Sequence, residues 1–521
     1  MTCREPRLIT TPIYYVNDRP HMGHAYATVQ ADVMARYMCA AGHDVFFLTG
    51  ADEHGEKIAR AAAQAGESEQ VFVERHARAF RDAWATLNVS PDHFVRTTDT
   101  QHIGTVQQVL HRLHQAGEIY LAEYRGLYSI GQERFVTEKE LVDGKLPEDR
   151  DPPVERVEAN YFFRMEKHRA WMRELLTNEP DLVQPPHYRN EILQILEEPI
   201  GDLSISRPAA RLSWGIPIPW DSAHVTYVWF DALLSYVSPL GFPDGEAFAR
   251  RWPHARHVIG KDILRTHTLF WLSMLRAMNV APYHRLFVSG HLLGTDGRKM
   301  SKSLGNGVDP LEAASKYGAD VLRYALVREV SFGFDGIISD AIIEQRLSRD
   351  LADDLGNLAA RTLAMIRRYR HGVTPAPDAP QLSDVPFATR LDALPAIVIA
   401  LVEDLRLAQA VERIMEEVRA LNRHVAGEAP WALAKAEQTG EDRTASATRL
   451  DTVLYTVVES LRAISDLLAP VMPVKMRELR AMLGIDPEPG WAIPWGQGVP
   501  AGSRVSEGIL FPKHLGAIPA E

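Results

Sequence analysis

Arg7-Leu8-Ile9-Thr10-Thr11-Pro12-Ile13-Tyr14-Tyr15 is a β-rich run. After Val16-Asn17-Asp18 it leads into His21-Met22-Gly23-His24, at the head of a helical pattern. From His24 to Ala41, apolar Val29, Val33, Met34 and Met38 fall on one side, the period of an amphipathic helix. Val45 to Leu48, closed by Thr49-Gly50, is a short apolar run that predicts a buried strand. Ile58 to Gln64 and Val71 to Leu87 predict further helices. Strands separated by helices imply a parallel sheet.

Outward from this stretch the pattern changes near Glu118. Residues 118–225 hold short strand-like pieces and many turn residues, among them Pro147, Pro152 and Pro153, and predict an insertion in the sheet domain. The α/β pattern returns at Thr226 to Tyr236 and His257 to Val280. From about Ile342 the chain is helical: Leu355, Leu358, Thr362 and Met365 share helical spacing, as do Leu405, Ala408, Val411 and Met415. A Pro-rich break, Thr374 to Pro386, separates two of these helices. The expected organisation is a sheet domain in two halves, 1–117 and 226–290, around the 118–225 insertion. A segment carrying a lysine loop, 291–345, a helical domain, 346–489, and an extended strap, 490–521, follow.

A chain of 521 residues with 46% hydrophobic and 24% charged residues can bury a sizeable core. Its net charge of −11 argues against a nucleic-acid-binding surface spread over the whole molecule, and leaves room for one basic face. The only cysteines are Cys3 and Cys39, so no disulfide framework is implied and a reducing compartment fits. Met1 to Thr11 has no long apolar segment of the secretory kind, and no uncharged apolar run approaches the roughly 20 residues of a membrane span. These features predict a cytoplasmic protein without a membrane partner.

Two short motifs carry chemistry. His21-Met22-Gly23-His24 follows a strand and opens a helix, whose unpaired N–H groups and dipole suit phosphate. Gly23 admits close backbone approach, and both imidazoles can reach phosphate oxygens. A surface turn with two incidental histidines is the plain alternative. Lys299-Met300-Ser301-Lys302-Ser303 is flanked by Gly294, Gly297, Gly305 and Gly307, which makes a mobile cationic clamp for a leaving pyrophosphate. Alone it reads equally as a solvated polar loop. The two motifs in this order are far more specific than either.

Together they resemble the class I aminoacyl-tRNA synthetases. The rest resembles the methionine-specific branch: Pro12-Ile13-Tyr14-Tyr15-Val16-Asn17, Thr49-Gly50-Ala51-Asp52-Glu53-His54-Gly55, Asn160-Tyr161-Phe162-Phe163-Arg164 and Trp214-Gly215-Ile216-Pro217. Tyr227-Val228-Trp229-Phe230-Asp231-Ala232, Gly260-Lys261-Asp262-Ile263, His267, Asp354-Leu355-Gly356-Asn357-Leu358 and Pro430-Trp431 extend the match, which runs from about residue 7 to about residue 513. The resemblance implies a Rossmann-like doubly wound parallel-sheet catalytic domain with a connective insertion. It also implies a stem-contact region within 291–345 and an all-α anticodon-binding bundle.

By the same resemblance, His21 and His24, with Gly23, steady the phosphates of ATP, and Lys299, Ser301 and Lys302 cover them. Mg2+ accompanies the ATP. The methionine carboxylate is the nucleophile. Ile13, Tyr15, Trp229, Ala232, Leu233, Tyr236, Ile263, His267 and Trp271 enclose the amino acid, and Asp52 pairs its ammonium. Aromatic walls suit a thioether, with Tyr15 and His267 as weak polar contacts to sulfur. For Trp229, Trp271, Tyr236 and His267 core packing is the alternative. Trp431, with Asn422 and Arg423, and less firmly Arg349 with Asp353, are expected to meet the anticodon of tRNA(Met), the initiator included. Arg367, Arg368 and Arg370 form a basic cluster or a solvated face.

One departure stands out. Many relatives carry a zinc knuckle in the insertion. Here Ser129 and Gln132 occupy the expected thiol positions and no second pair follows. Tetrahedral zinc needs four suitable ligands, so a metal-free knuckle is expected. No dimerising extension follows Leu510-Phe511-Pro512, from which a monomer is expected. The competing readings are three. The isoleucine, valine and leucine synthetases carry a large editing insertion and the cysteine enzyme a zinc-thiolate site. A small-substrate nucleotidyltransferase has no use for Trp431 and its helices. A nonenzymatic tRNA-binding relative would not need His21, His24, Lys299 and Lys302 intact.

Overall fold

Strand Pro6–Tyr15 lies inside a six-stranded sheet in the computed structural model, which describes residues 4–130, 134–136, 138–146, 151–298, 300, 307–378, 384–440 and 442–512. The strand order is His93–Arg96, Asp44–Asp52, Pro6–Tyr15, Ala255–Gly260, Arg285–Ser289, Val183–Gln184, and every pair is parallel. The chain order therefore reverses between Pro6–Tyr15 and Ala255–Gly260. Ligands of open α/β sheets bind beyond the carboxyl ends of the strands at such a switch point. Here those ends are Tyr15 and Gly260.

The Pro6–Tyr15 strand slips register between Thr10 and Ile13, so that Ile13 lies opposite Gly50 and Tyr15 opposite Asp52. Pro12, inside the slip, has no N–H for the ladder. Gly50 is obligatory: a Cβ there would meet the Val95 carbonyl oxygen at 2.2 Å. Strand Asp44–Asp52 is thus longer than Val45 to Leu48 and carries Asp52 to the switch-point edge. Leu8, Leu48, Ile259, Leu286 and Val288 join Val106 and Leu110 of helix Thr100–Gln115 in the core.

The insertion is an antiparallel sheet led by Ile119–Ser129 against Val154–Phe163, paired from Ile119 with Phe163 to Tyr128 with Val154. It is not one block. Val183–Gln184, inside the expected 118–225 insertion, pairs with Arg285–Ser289 in the main sheet, and nearby Met172, Leu176 and Ile192 enter the main core. A two-residue strand has no periodicity to read.

These elements form one compact unit: Met1–Pro20, Asp44–Ala85 and Ser90–Gly290. The second unit comprises His21–His43, Thr86–Val89 and His291–Glu521. Helix Met22–Ala40 belongs to this second unit and is buried continuously from Ala25 to Ala35, not on one side only. Its Asp32 receives Arg323 at 2.6 Å. Arg323 also donates to the carbonyls of Val471 (2.9 Å), Pro470 (2.9 Å) and Leu87 (3.2 Å), which is how a fully buried guanidinium is satisfied.

The other helices of this unit include Asn357–Arg370, Val385–Glu403, Leu407–Glu428, Pro430–Thr439 and Arg443–Leu468. Among the described residues Val385–Glu403 alone is long and apolar enough, by length and composition, to cross a membrane. It carries Arg390, paired with Glu417 at 2.9 Å, and Asp392, which accepts from the Trp495 backbone at 2.8 Å. Its Phe387, Leu391, Leu394, Val398 and Val402 are buried along one stripe. The following strap is pinned to helix Arg443–Leu468: Tyr455 donates to the Val499 carbonyl at 3.1 Å, and Glu459 accepts from Gly496 and Gly498.

Candidate active site

The amino-acid residues expected from the sequence all fall in the sheet unit. Tyr15 and Asp52 are register partners at the strand ends. Trp229, Ala232 and Leu233 lie on helix Val228–Leu233, and Tyr236 on the turn after it. Ile263 follows Gly260, and His267 sits in the wide helical turn Thr266–Phe270 that precedes helix Trp271–Ala277. Ile13, Tyr15, Trp229 and Ile263 are half-buried and pack on the core cluster that holds Leu233, Tyr236 and Trp271.

His267 is fully engaged. Its Nδ1 lies 2.9 Å from the Ile263 carbonyl and its Nε2 lies 2.7 Å from the Tyr236 hydroxyl. A carbonyl only accepts, so Nδ1 carries the proton and Nε2 accepts from Tyr236. Burial pushes the imidazole down to about 4, so the ring is neutral at physiological pH. Burial likewise pushes the Tyr236 phenol up, with Tyr14 and Asp52 adding to the effect. Trp271 is wholly buried behind Tyr236, with ring centroids 6.1 Å apart, and forms core in this structure.

The phosphate-motif residues belong to the helical unit. His21 is the N-cap of helix Met22–Ala40. Its Nδ1 accepts from the Gly23 and His24 backbones at 3.1 and 3.4 Å, while Nδ1 of His24 accepts from the His21 backbone at 3.3 Å. The rings stack 3.6 Å apart. Accepting at Nδ1 places the protons on Nε2, so each ring presents an N–H edge of the kind that binds phosphate. Lys299, Ser301 and Lys302 lie outside the described residues; before them, the Gly294 backbone bonds to the Arg298 carbonyl at 2.9 Å.

In the helical region Trp431 is 47% exposed on the first turn of Pro430–Thr439, with the Arg361 guanidinium 6.0 Å from its ring. Asn422 is half-buried and donates to the carbonyls of Asp354 (3.1 Å) and Val418 (3.2 Å). Arg423 and Arg349 are exposed. The basic cluster is largely neutralised, because Arg370 pairs with Glu437 and Asp451 and Arg367 with Glu507. In the insertion Ser129 is buried at the end of its strand, and Gln132 lies outside the described residues.

Comparison with known proteins identifies the family. The family model for tRNA synthetases class I (M) matches residues 7–152 and 148–363. A methionine–tRNA ligase of Deinococcus radiodurans is 50% identical over 516 residues, covering 97% of this chain and 74% of that protein. One of Caldanaerobacter subterraneus is 42% identical, covering 97% and 78%. The chain belongs to the methionyl-tRNA synthetases of class I. A solved methionyl-tRNA synthetase of Mycobacterium tuberculosis, in complex with methionyl-adenylate, has a TM-score of 0.92 and 37% identity over 98% of this chain and 100% of that one.

Within this methionyl-tRNA synthetase fold, sequence reasoning missed one group. Asp231, on the same short helix as Trp229, is buried between two histidines: its Oδ2 lies 2.6 Å from His54 Nδ1 and its Oδ1 lies 2.6 Å from His102 Nε2. His102 Nδ1 continues to the Ser238 hydroxyl at 2.8 Å. Burial works against the Asp231 carboxylate, yet His54 and His102 more than offset it and hold it below the usual range. His54 and Asp231 stand inside quoted motifs, but nothing in either spacing shows that they meet.

Proposed function

We propose that the chain activates L-methionine with ATP, releasing pyrophosphate, and passes the methionyl group to the 3′-terminal adenosine of tRNA(Met), initiator tRNA included. Methionine–tRNA ligation is the activity of the family to which it belongs. The observation that carries the reading is the buried, neutral His267–Tyr236 pair beside half-buried Tyr15 and Trp229 at the sheet's switch point. It offers aromatic surface and a weakly polar wall, which suits a thioether and gives no charge to bind a polar side chain.

In this reading Asp52 pairs the substrate ammonium and Ile13, Ala232, Leu233, Ile263 and Trp271 complete or back the enclosure. The Nε2–H edges of His21 and His24, with the helix N-terminus and Gly23, donate to phosphate. Lys299 and Lys302, with Ser301, stabilise charge on the departing pyrophosphate. The substrate carboxylate attacks the α-phosphorus, so catalysis is positioning plus electrostatics. Mg2+ supplies charge neutralisation when bound with ATP. Trp431, Arg423, Asn422 and Arg349 read the anticodon, and the enzyme acts in the cytoplasm as a monomer.

The insertion needs no zinc in this reading. Purified protein should contain less than stoichiometric zinc, and a chelator should leave charging intact when Mg2+ is in excess; one tightly held zinc per chain contradicts it. The reaction itself is tested by mass spectrometry: methionyl-adenylate should accumulate with ATP and methionine, then vanish on adding tRNA as its 3′ end becomes esterified. Adenylate formed equally with isoleucine would refute the assignment.

A further inference from the structure

Asp231 and its partners join three parts of the sheet unit. His54 follows Asp52 by two residues at the end of strand Asp44–Asp52. Asp231 lies between Trp229 and Leu233 on helix Val228–Leu233. His102 stands on helix Thr100–Gln115, and Ser238 beyond Tyr236. All four side chains are almost wholly removed from water.

An ionised carboxylate only accepts hydrogen bonds. The two nitrogens facing Asp231 are therefore the protonated ones: His54 donates from Nδ1 and His102 from Nε2. The Ser238 hydroxyl then donates to His102 Nδ1 when that ring is neutral. The order of donation is defined from Ser238 through His102, while His54 donates from the opposite side. Buried, charge-assisted bonds of this kind are shorter and stronger than neutral ones, and they hold their partners in one arrangement.

The loop carrying His54 is braced on its other flank too. Trp214 packs against the His54 ring at 5.6 Å, and the Gly55 backbone bonds to the Trp214 carbonyl at 3.4 Å. Glu53 pairs with Arg96 at 2.6 Å. The bond between His54 and Asp231 ties this braced strand end directly to the helix of Trp229, Ala232 and Leu233.

We propose that His54 and Asp231 are positioning residues for methionine: their hydrogen bond sets the distance between the carboxylate of Asp52 and the aromatic wall of Trp229, and so the fit of an amino acid whose ammonium and side chain bind those two elements. This rests on the assignment of the methionine site above. The residues touch neither substrate nor phosphate; they act through Asp52 and Trp229. A loosened bond lets the two walls move apart, which weakens methionine and leaves ATP untouched.

Two substitutions separate this from simple packing. His54→Phe keeps a ring against Trp214 and removes the donor. His54→Asn loses the ring and keeps an N–H where Nδ1 stood. In amino-acid-dependent ATP–pyrophosphate exchange, His54→Phe should raise KM for methionine about tenfold, the scale of one lost charge-assisted hydrogen bond, with KM for ATP nearly constant. His54→Asn should stay within about threefold of the parent for both substrates, a change smaller than one such bond. Equal rises in both KM values, an Asn variant as impaired as the Phe variant, or a Phe variant with unchanged methionine KM would overturn the proposal. Should His54→Phe not fold, Ser238→Ala, at the far end of the chain, supplies the same reading: a smaller rise confined to methionine supports the proposal, and a drop in melting temperature with unchanged KM overturns it. Absence of methionine-dependent exchange in the parent would instead refute the proposed function.

Discussion

In the proposed function, the wall around Tyr236 and His267 and the surface around Trp431 solve recognition in opposite ways. The Tyr236 hydroxyl and both His267 ring nitrogens are buried and have partners inside the protein, so tautomer and ring orientation are set before any ligand arrives. Around Trp431 the indole stands half in solvent with Arg361, and Arg423 and Arg349 are exposed. A small apolar side chain is distinguished by the shape of a preset pocket, since each methylene carries only about 1–3 kcal/mol. An unpaired base is caught on an open aromatic face, and stacking contributes about 1–3 kcal/mol without enclosure. Damage to the first kind of site should therefore appear in the activation step, and damage to the second only when tRNA is present.

The largest effect is expected at the lysine loop, which in the proposed mechanism acts in activation. Lys302→Ala should slow adenylate formation by about 10²-fold or more, the scale of one preorganised charge donor, while methionine affinity is preserved. Pre-steady-state quench of a single turnover measures this, and a normal rate with weak methionine binding would remove the distinction between clamp and pocket.

A smaller change is expected within the wall. Tyr236→Phe removes the hydroxyl that donates to His267 Nε2 and leaves a buried acceptor unsatisfied, which costs about 1–3 kcal/mol. KM for methionine should rise about tenfold by that arithmetic, with charging and exchange impaired in equal proportion. A loss in charging alone would place Tyr236 with the RNA surface.

The wall also predicts a pH dependence that the exposed surface does not. The buried His267 has its imidazole lowered from 6.5 to about 4, and His257 is lowered well below 6.5 by burial and by His267. In both cases the native state resists protonation that the unfolded chain accepts. Their contribution to stability is therefore complete above about pH 6.5 and is lost as pH falls from there towards 4, by up to about 3 kcal/mol for His267. Thermal melts should fall through that window while His267→Gln weakens the slope. A melting temperature that is flat from pH 7 to 4.5 would contradict the buried neutral pair.

The same contrast explains what could be read from the chain. Two sheet strands were legible because Arg7 to Tyr15 and Val45 to Leu48 are β-rich or apolar and closed by turns, and the helical region because Leu355 to Met365 and Ala408 to Met415 keep the helical period. Leu405, expected on the same helix as Ala408, instead stands at φ 54° in the turn before helix Leu407–Glu428. The two-residue strand Val183–Gln184 had no period to show. Helix Met22–Ala40 was legible as a helix but not as one buried on every side, because alanine and threonine carry no clear polarity signal. At the site, the resemblance named Tyr236 and His267, yet their hydrogen bond joins residues on separate turns and depends on the fold. His54, His102 and Asp231 lie more than a hundred residues apart in chain order across the key contacts, a separation that no local spacing can report.

The most direct test compares methionine-dependent ATP–pyrophosphate exchange with tRNA charging in Trp431→Ala. Exchange should equal that of the parent, while charging at limiting tRNA falls by about tenfold or more, as loss of one stacked base would give. The melting temperature should hold, since the indole is 47% exposed and leaves no full cavity behind. Exchange and charging falling together, or charging unchanged, would contradict the division between a preset methionine wall and an open anticodon surface.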